Sequence, residues 1–292
     1  MKSIGEHLSF HASALQLRSR RNDILASNIA NAATPKFKAR DLDYEKQIRQ
    51  VNVDGTRNVC EAAVKAGVKK LIHFSSVDAF YRFPIEEPLL EDRKLIDDPN
   101  AVPYDLSKAD GQKIVIDYCQ QGLNASIIHP TSIVGPNDFK PGLPMQEMVN
   151  LANGKRKVLP NWGYNFVDVR DLCITAISAV SEGKTGQNYI VGGEYHMYSY
   201  IAELMEEQLG RTVLLGTIPN FVSYLGLPYE YVKSLITKKP RVLTVDTLHT
   251  GKTGNKVVPS TLARSELGHN PRPLEETIHD MVSFFQKRGL IK

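Results

Sequence analysis

At 292 residues, with 42% hydrophobic and 23% charged side chains, the chain has the composition of an ordinary globular protein of one large or two modest domains. No apolar run approaches the ~20 residues of a bilayer-crossing helix, so no membrane span is expected. Residues 1–50 hold nine Lys/Arg against five Asp/Glu and so carry the whole net charge of +4, while the remaining 27 basic and 27 acidic side chains cancel. That split argues against a nucleic-acid surface on the main body and marks a composition boundary near residue 50.

The first residues, Met1 to His7, lack the apolar stretch of a signal peptide. Cys60, Cys119 and Cys173 are odd in number and widely spaced, which suits buried thiols in a reducing compartment. The cytoplasm is the expected location. No Cys/His cluster has zinc-site spacing, so no metal is expected.

From Ile4 to Ala30 the pattern is helical: Ile4, Leu8, Ala12 and Leu15 recur on one face, and Leu17, Ile24, Leu25 and Ile29 continue it. Asn28, Asn31, Thr34 and Pro35 should end that helix. A docked surface helix is the plain reading. The character changes at Val51. Asn52-Val-Asp-Gly-Thr56 leads into an amphipathic helix to about Ala66, with Gly67 as its C-cap. Lys69-Lys-Leu-Ile-His-Phe-Ser-Ser76 reads as a buried parallel strand, polar at its carboxyl end. A helix over 103–121 and a strand over Ala125-Ser-Ile-Ile-His-Pro130 follow. The alternation continues through Phe166-Val-Asp-Val-Arg170, Asn188-Tyr-Ile-Val191 and a last helix over 274–290. It indicates an α/β fold with a parallel sheet.

Tyr104 and Lys108 are four residues apart on a predicted helix and share one face. A neighbouring ammonium favours the phenolate, which makes such a tyrosine usable in acid/base chemistry. The same spacing recurs at Tyr229 and Lys233, so spacing by itself does not choose between them. Context does. Ser75 and Ser76 stand at the carboxyl end of the strand before Tyr104, where ligands of a doubly wound sheet sit. A serine hydroxyl there could polarise a substrate oxygen. Tyr229 follows Leu225-Gly-Leu-Pro228, which reads as a turn leading into a surface or substrate-domain helix, and is taken as structural. Ser75-Ser76 as a strand end, Pro130 as a turn, and Asp168 with Arg170 as a surface ion pair are the plainer readings of each element alone.

Together, Asn52-Val-Asp-Gly-Thr-Arg-Asn58, His73-Phe-Ser-Ser76, Tyr104-Asp-Leu-Ser-Lys108, His129-Pro-Thr-Ser-Ile-Val-Gly-Pro136 and Asn165-Phe-Val-Asp-Val-Arg-Asp171 resemble the extended short-chain dehydrogenase/reductase family, in its order and spacing. Within it the chain is most similar to dihydroflavonol-reductase-like and epimerase/dehydratase members. The resemblance covers residues 51–292. It implies an incomplete Rossmann-like doubly wound parallel sheet (51–136) with a small substrate-binding part (137–292), preceded by an N-terminal helical segment (1–50). It also implies catalysis by Ser76, Tyr104 and Lys108, and NAD or NADP held by Tyr104, Lys108, Pro130, Thr131, Ser132 and Ile133. The substrate would be a carbonyl, an alcohol or a nucleotide sugar, and a homodimer would be in keeping with the family.

The family's glycine-rich turn has no counterpart here. Gly192-Gly193 lacks a third glycine and follows a late strand, and Gly251-Lys-Thr-Gly254 lacks the leading glycine of a phosphate loop, whose place is held by Asp246. The resemblance therefore implies weakened cofactor affinity, an inactive remnant, and an exposed sheet edge where the absent strands would pair.

Residues 25–41, Leu-Ala-Ser-Asn-Ile-Ala-Asn-Ala-Ala-Thr-Pro-Lys-Phe-Lys-Ala-Arg-Asp, preceded by Ala14-Leu-Gln-Leu-Arg18, resemble the N-terminus of the flagellar basal-body rod protein FlgB. This second likeness implies rod subunits as partners and a basal-body location. A structural rod component and a non-catalytic fusion fragment joined near Gln50–Val51 are thus the alternatives to an oxidoreductase.

Overall fold

The computed structural model describes residues 44–237, 248 and 254–292. The helix expected over Ile4–Ala30, and the residues that carry the rod-protein motif, lie outside the described residues. The chain divides into two compact units, Met1–Val51 and Asn52–Lys292. The described part of the first contains helix α1 (Tyr44–Arg49), and a π-helical turn over Gln50–Asp54 follows.

The second unit begins with α2 (Gly55–Ala66), closed by Gly67 in the left-handed conformation as its spacing predicts. Next come β1 (Leu71–Phe74) and a 3-10 turn (Val77–Ala79). Then α3 (Pro103–Gln120) begins with Pro at its first position, where a missing N–H costs nothing. Strands β2 (Ala125–Pro130) and β6 (Asn188–Val191) complete a parallel sheet of order β1-β2-β6 among the described residues. Every residue of β2 is buried, as expected for a central parallel strand covered on both faces. On one face Cys60 and Ala63 of α2 pack with Val115 of α3 against Ala125 and Ile127. On the other, Leu172 and Ala179 of α5 (Val169–Ser181) and Ala263 and Leu267 of α9 (Thr261–Leu267) pack against Ile128, Tyr189 and Val191. Pro130 closes β2 and is not the turn that its residue type suggested.

A second lobe grows from the carboxyl side of this sheet. Strand β3 (Ser132–Val134) pairs parallel with β5 (Gly163–Asp168), which pairs antiparallel with β7 (Glu194–Met197). Helices α4 (Leu143–Ala152), α6 (Tyr198–Leu209) and α10 (Leu274–Lys287) enclose a core of Met148, Leu151, Phe166, Ile201, Met205, Ile278, Met281 and Phe285. Short strands β4 (Val158–Pro160) and β8 (Gly216–Ile218) form a separate parallel pair. After α7 (Asn220–Ser223), residues Tyr224–Gly226 form a 3-10 turn and α8 (Leu227–Thr237) starts at once, so the expected turn leads into the expected helix, which opens two residues earlier at Leu227 and Pro228.

Two further expectations are corrected. Cys173 is exposed on α5 and only Cys60 is fully buried. Asp168, expected at the surface, is 4% exposed. Among the described residues no helix is long and apolar enough to cross a membrane, and no cluster of metal-ligating side chains occurs.

Candidate functional site

Strands β1 and β2 are neighbours, so the segments leaving their carboxyl ends emerge side by side. Ser75 and Ser76 leave β1, Thr131 to Ile133 leave β2, and α3 brings Tyr104 and Lys108 on its first turns. The Lys108 ammonium stands 5.9 Å from the centroid of the Tyr104 ring. It also donates to the backbone carbonyl of Phe74 at 3.2 Å, which fixes it to the end of β1. Burial lowers the pKa of Lys108 from the ordinary lysine value. Tyr104 is 37% exposed, open to a molecule arriving at the strand ends.

Ser76 is committed locally. Its hydroxyl accepts from the Asp78 N–H and donates to the Asp78 carboxylate, both at 3.2 Å, and so caps the 3-10 turn. That turn is held against α3 in two ways. Ala79 and Ala109 pack in one small apolar cluster. The buried Arg82 guanidinium bridges Asp78 at 2.7 Å and Asp105 at 2.8 Å. Asp105 follows Tyr104 directly, so this ion triad ties the Ser76 segment to the helix turn that presents the tyrosine. Sequence reading missed Asp78, Arg82 and Asp105, because the only trace they leave is two acids and an arginine spread over 28 positions.

Beneath the site runs a buried polar chain that sequence reading also missed. Ser75 donates to Gln112 at 2.8 Å, and Gln112 donates to the Asn188 side-chain oxygen at 2.9 Å. His129 meets that same oxygen through Nε2 at 3.2 Å and the Ser76 carbonyl through Nδ1 at 3.0 Å. Burial depresses the pKa of His129 to about 4, against the raising effect of those two contacts. At neutral pH it is therefore a neutral ring with one N–H to give. His73, on β1, is held lower still at about 3, first by burial and then by the Lys108 charge. The chain links β1, α3, β2 and β6 under the two serines and sets where they stand.

Of the other predicted residues, Pro130 and Thr131 are buried, Ser132 is half-buried and Ile133 is exposed. The Thr131 hydroxyl is buried without a hydrogen-bond partner among the described residues. Gly192 and Gly193 are not a phosphate loop. A Cβ on Gly192 would lie 2.6 Å from the Asn165 side-chain oxygen, and one on Gly193 would lie 2.2 Å from the Phe166 carbonyl. Both glycines exist for close packing of β5 against the loop after β6. Tyr229 lies exposed on α8 in the second lobe.

A cavity of about 220 Å³ opens in the second lobe, lined by Phe166, Asp168, Gly193, Arg272, Leu274 and Thr277 among others. Two of its lining charges are paired: Asp168 receives Arg170 at 2.7 Å and Arg272 meets Asp171 at 2.8 Å. It holds none of the candidate residues and lies among the end of β5, the start of β7, Arg264 of α9 and the start of α10.

The model of the NAD dependent epimerase/dehydratase family matches residues 3–192, a span that includes the rod-like stretch 3–50. Sterol demethylase protein B of Methylococcus capsulatus is 29% identical over 258 residues, covering 86% of this chain and 76% of that protein. The crystal structure of gox2253 superposes with a TM-score of 0.71 at 26% identity, covering 88% of this chain and 78% of that one. A separate likeness covers 30% of this chain: the flagellar basal body rod protein FlgB of Cereibacter sphaeroides is 38% identical over 95 residues, 67% of its length.

Proposed function

The chain belongs to the NAD dependent epimerase/dehydratase family, and on that premise we propose that Ser76, Tyr104 and Lys108 form the acid/base set of an NAD- or NADP-linked oxidoreductase or epimerase. The observation that carries the reading is the Lys108 ammonium 5.9 Å from the Tyr104 ring, at the carboxyl end of a parallel strand. The Tyr104 hydroxyl would exchange a proton with the substrate oxygen. The Lys108 charge lowers the cost of the phenolate that results. Ser76 would turn its hydroxyl from Asp78 to the substrate oxygen as charge develops there.

A bound nicotinamide would supply or accept the hydride at the substrate carbon. The residues present fit that end of the cofactor. Lys108 and Tyr104 offer donors toward the ribose, and the unpartnered Thr131 hydroxyl, with Pro130, Ser132 and Ile133, suits the nicotinamide side. They do not fit the other end. A pyrophosphate needs a glycine-rich turn opening a helix, and no glycine occurs between Gly5 and Gly55. Affinity within residues 1–292 would thus rest on the nicotinamide and its ribose alone.

The substrate would be an alcohol or carbonyl compound. Likeness to a sterol demethylase protein favours an apolar one, with nucleotide sugars as the second class. Residues 51–136 would form the catalytic part and 137–292 the substrate part, with a homodimer as the assembly. A second reading rests on the 38% identity to FlgB: residues 1–50 would dock with rod subunits at the flagellar basal body. Against it, α10 buries Ile278, Met281, Val282 and Phe285 in its own lobe and has no apolar face left for rod pairing.

The test is a fluorescence titration of the full chain with NADH, NADPH and reduced nicotinamide mononucleotide. The dinucleotides and the mononucleotide should bind weakly, within about threefold of one another, and Lys108→Ala should lose all of them. Tyr104→Phe should retain binding and lower turnover at least 10²-fold. Absence of saturable mononucleotide binding at millimolar concentration sinks the proposal.

A further inference from the structure

We infer that His269 is a positioning residue for the cofactor side of the site: with Thr175 it clamps the Gly192 carbonyl, and the loop so held backs the Thr131 side chain. The link to a cofactor rests on the reading above; the clamp itself does not.

The clamp is buried, with His269 3% and Thr175 1% exposed. His269 Nε2 stands 2.8 Å from the Gly192 carbonyl, and Nδ1 stands 2.8 Å from the Thr175 hydroxyl. A carbonyl only accepts, so Nε2 carries the hydrogen. The neutral ring then has a lone pair at Nδ1, and the donor that faces it is the Thr175 hydroxyl. That hydroxyl also lies 2.8 Å from the Asp171 carbonyl, one turn back on α5. The Asp171 carbonyl has its place in the helix ladder, where it takes the N–H four residues on, so the hydroxyl hydrogen is free to turn to the ring. Thr175 thus fixes the tautomer, and the tautomer fixes what the ring offers Gly192.

The loop is held elsewhere by its N–H groups. Gly192 donates to the Ser260 hydroxyl at 2.8 Å and Gly193 to the Asn165 side-chain oxygen at 3.0 Å. The Gly192 carbonyl has His269 as its short contact, with the Ser260 hydroxyl farther off at 3.3 Å. Thr131 stands beside this loop. A Cβ on Gly192 would fall 2.8 Å from Thr131 Cγ2 and 3.3 Å from its Oγ1. The Thr131 hydroxyl is buried without a hydrogen-bond partner. Contact with Gly192, acting on a side chain that is stiff at χ1, therefore holds that hydroxyl in place.

The ring's ionisation bears on the clamp. Burial lowers the pKa of His269 from the ordinary histidine value, against the raising effect of the Gly192 contact. Among the charges around it, Arg264 of α9 opposes the imidazolium and the Asp171 carboxylate of α5 favours it. Asp171 is engaged by Arg272, on the ring's own segment. Arg170 of α5 is taken up by Asp168 and Asp280, Glu266 of α9 by Lys184, and Glu194 beyond the loop lies 3.4 Å from His196. A ring released to water binds a proton more readily than the clamped one, so acid favours opening of the loop.

The experiment uses the full chain with nitrogen-15 in its histidines and backbone amides. At pH 7.5 the His269 resonances should report the Nε2–H tautomer. Thr175→Val removes the donor at nearly constant shape; it should give a tautomer mixture and speed Gly193 amide exchange at least threefold. His269→Phe should speed that exchange at least tenfold, and His269→Gln, which keeps a donor, should hold it within threefold of the wild type. Corrected for intrinsic rates, Gly193 exchange should rise between pH 7 and pH 5 in the wild type and stay level in His269→Gln. An Nδ1–H tautomer, Gly193 exchange indifferent to Thr175→Val, or an equal acid rise in His269→Gln would each overturn the clamp. Reduced nicotinamide mononucleotide is then titrated. Its Kd should rise at least fivefold in Thr175→Val and His269→Phe and return to within twofold in His269→Gln. Unchanged affinity with a loosened loop overturns the link to the site and leaves the clamp standing. No binding by the wild type overturns the cofactor reading instead, while tautomer and exchange still decide the clamp.

Discussion

The Lys108 ammonium donates to the Phe74 carbonyl at 3.2 Å, so the cation beside Tyr104 is anchored to the last residue of β1. The contact is half-exposed and single, a kind of interaction that contributes about 1 kcal/mol. Lys108→Met keeps the aliphatic stem and removes the charge. Its urea midpoint should shift by no more than about 1 kcal/mol equivalent, while binding of reduced nicotinamide mononucleotide is lost. A large loss of stability would mean that Lys108 serves chiefly to hold β1 against α3.

The folded-state pKa of His129 is about 4, below its ordinary 6.5, and that of His73 is about 3. An unfolded chain therefore binds more protons than the folded one below pH 6.5. The stability that these neutral rings contribute is full above pH 6.5 and falls as pH drops toward 4, by an amount on the order of 3 kcal/mol for His129. Urea unfolding followed from pH 7.5 to 4.5 should show this decline. His129→Gln should be less stable at pH 7.5 and show a shallower slope. An unchanged slope would mean that His129 is already protonated in the fold.

Gly111 sits in the middle of α3, where alanine would ordinarily gain about 1 kcal/mol of helix propensity. Here a Cβ would fall 2.4 Å from the backbone carbonyl of Asn52. The carbonyl cannot move freely, because the same residue accepts from Thr56 at 2.8 Å and donates through its side chain to Ser107 at 3.0 Å. Gly111→Ala should therefore destabilise by about 1–3 kcal/mol, read as a lowered Tm. A raised Tm would show that α2 and α3 can part at no cost.

Asp168 caps α5 through the Arg170 N–H at 2.7 Å and pairs with the Arg170 guanidinium at 2.7 Å. Burial pushes its carboxyl up, and the hydrogen bonds from Arg170 more than offset that, so it titrates below the usual carboxylate range. Asp168→Asn keeps a cap acceptor and removes the charge; it should cost about 3 kcal/mol. Asp168→Ala removes the cap as well and should cost about 1 kcal/mol more. Equal losses in the two variants would assign the whole effect to the ion pair.

Local rules carried much of the fold. Period and end signals predicted α2 with Gly67 at its close, α3 over nearly its full span, and β2 as a buried strand, because helix caps and apolar runs act within a few residues. They set one boundary two residues late, at Leu227 and Pro228, which already belong to the helix after the turn. They failed at Cys173, whose exposure depends on which face of α5 meets the sheet.

The residue types and order of Ser76, Tyr104, Lys108 and Thr131 were determined by the sequence itself, and with them the family and its α/β class. Tertiary structure alone decided that His129 and Asn188 lie under Ser76, that Arg82 joins Asp78 to Asp105, and that Asp168 is buried. Those contacts join side chains as much as 59 positions apart, and burial, which sets the ionisation of each histidine, exists only once the strands are side by side.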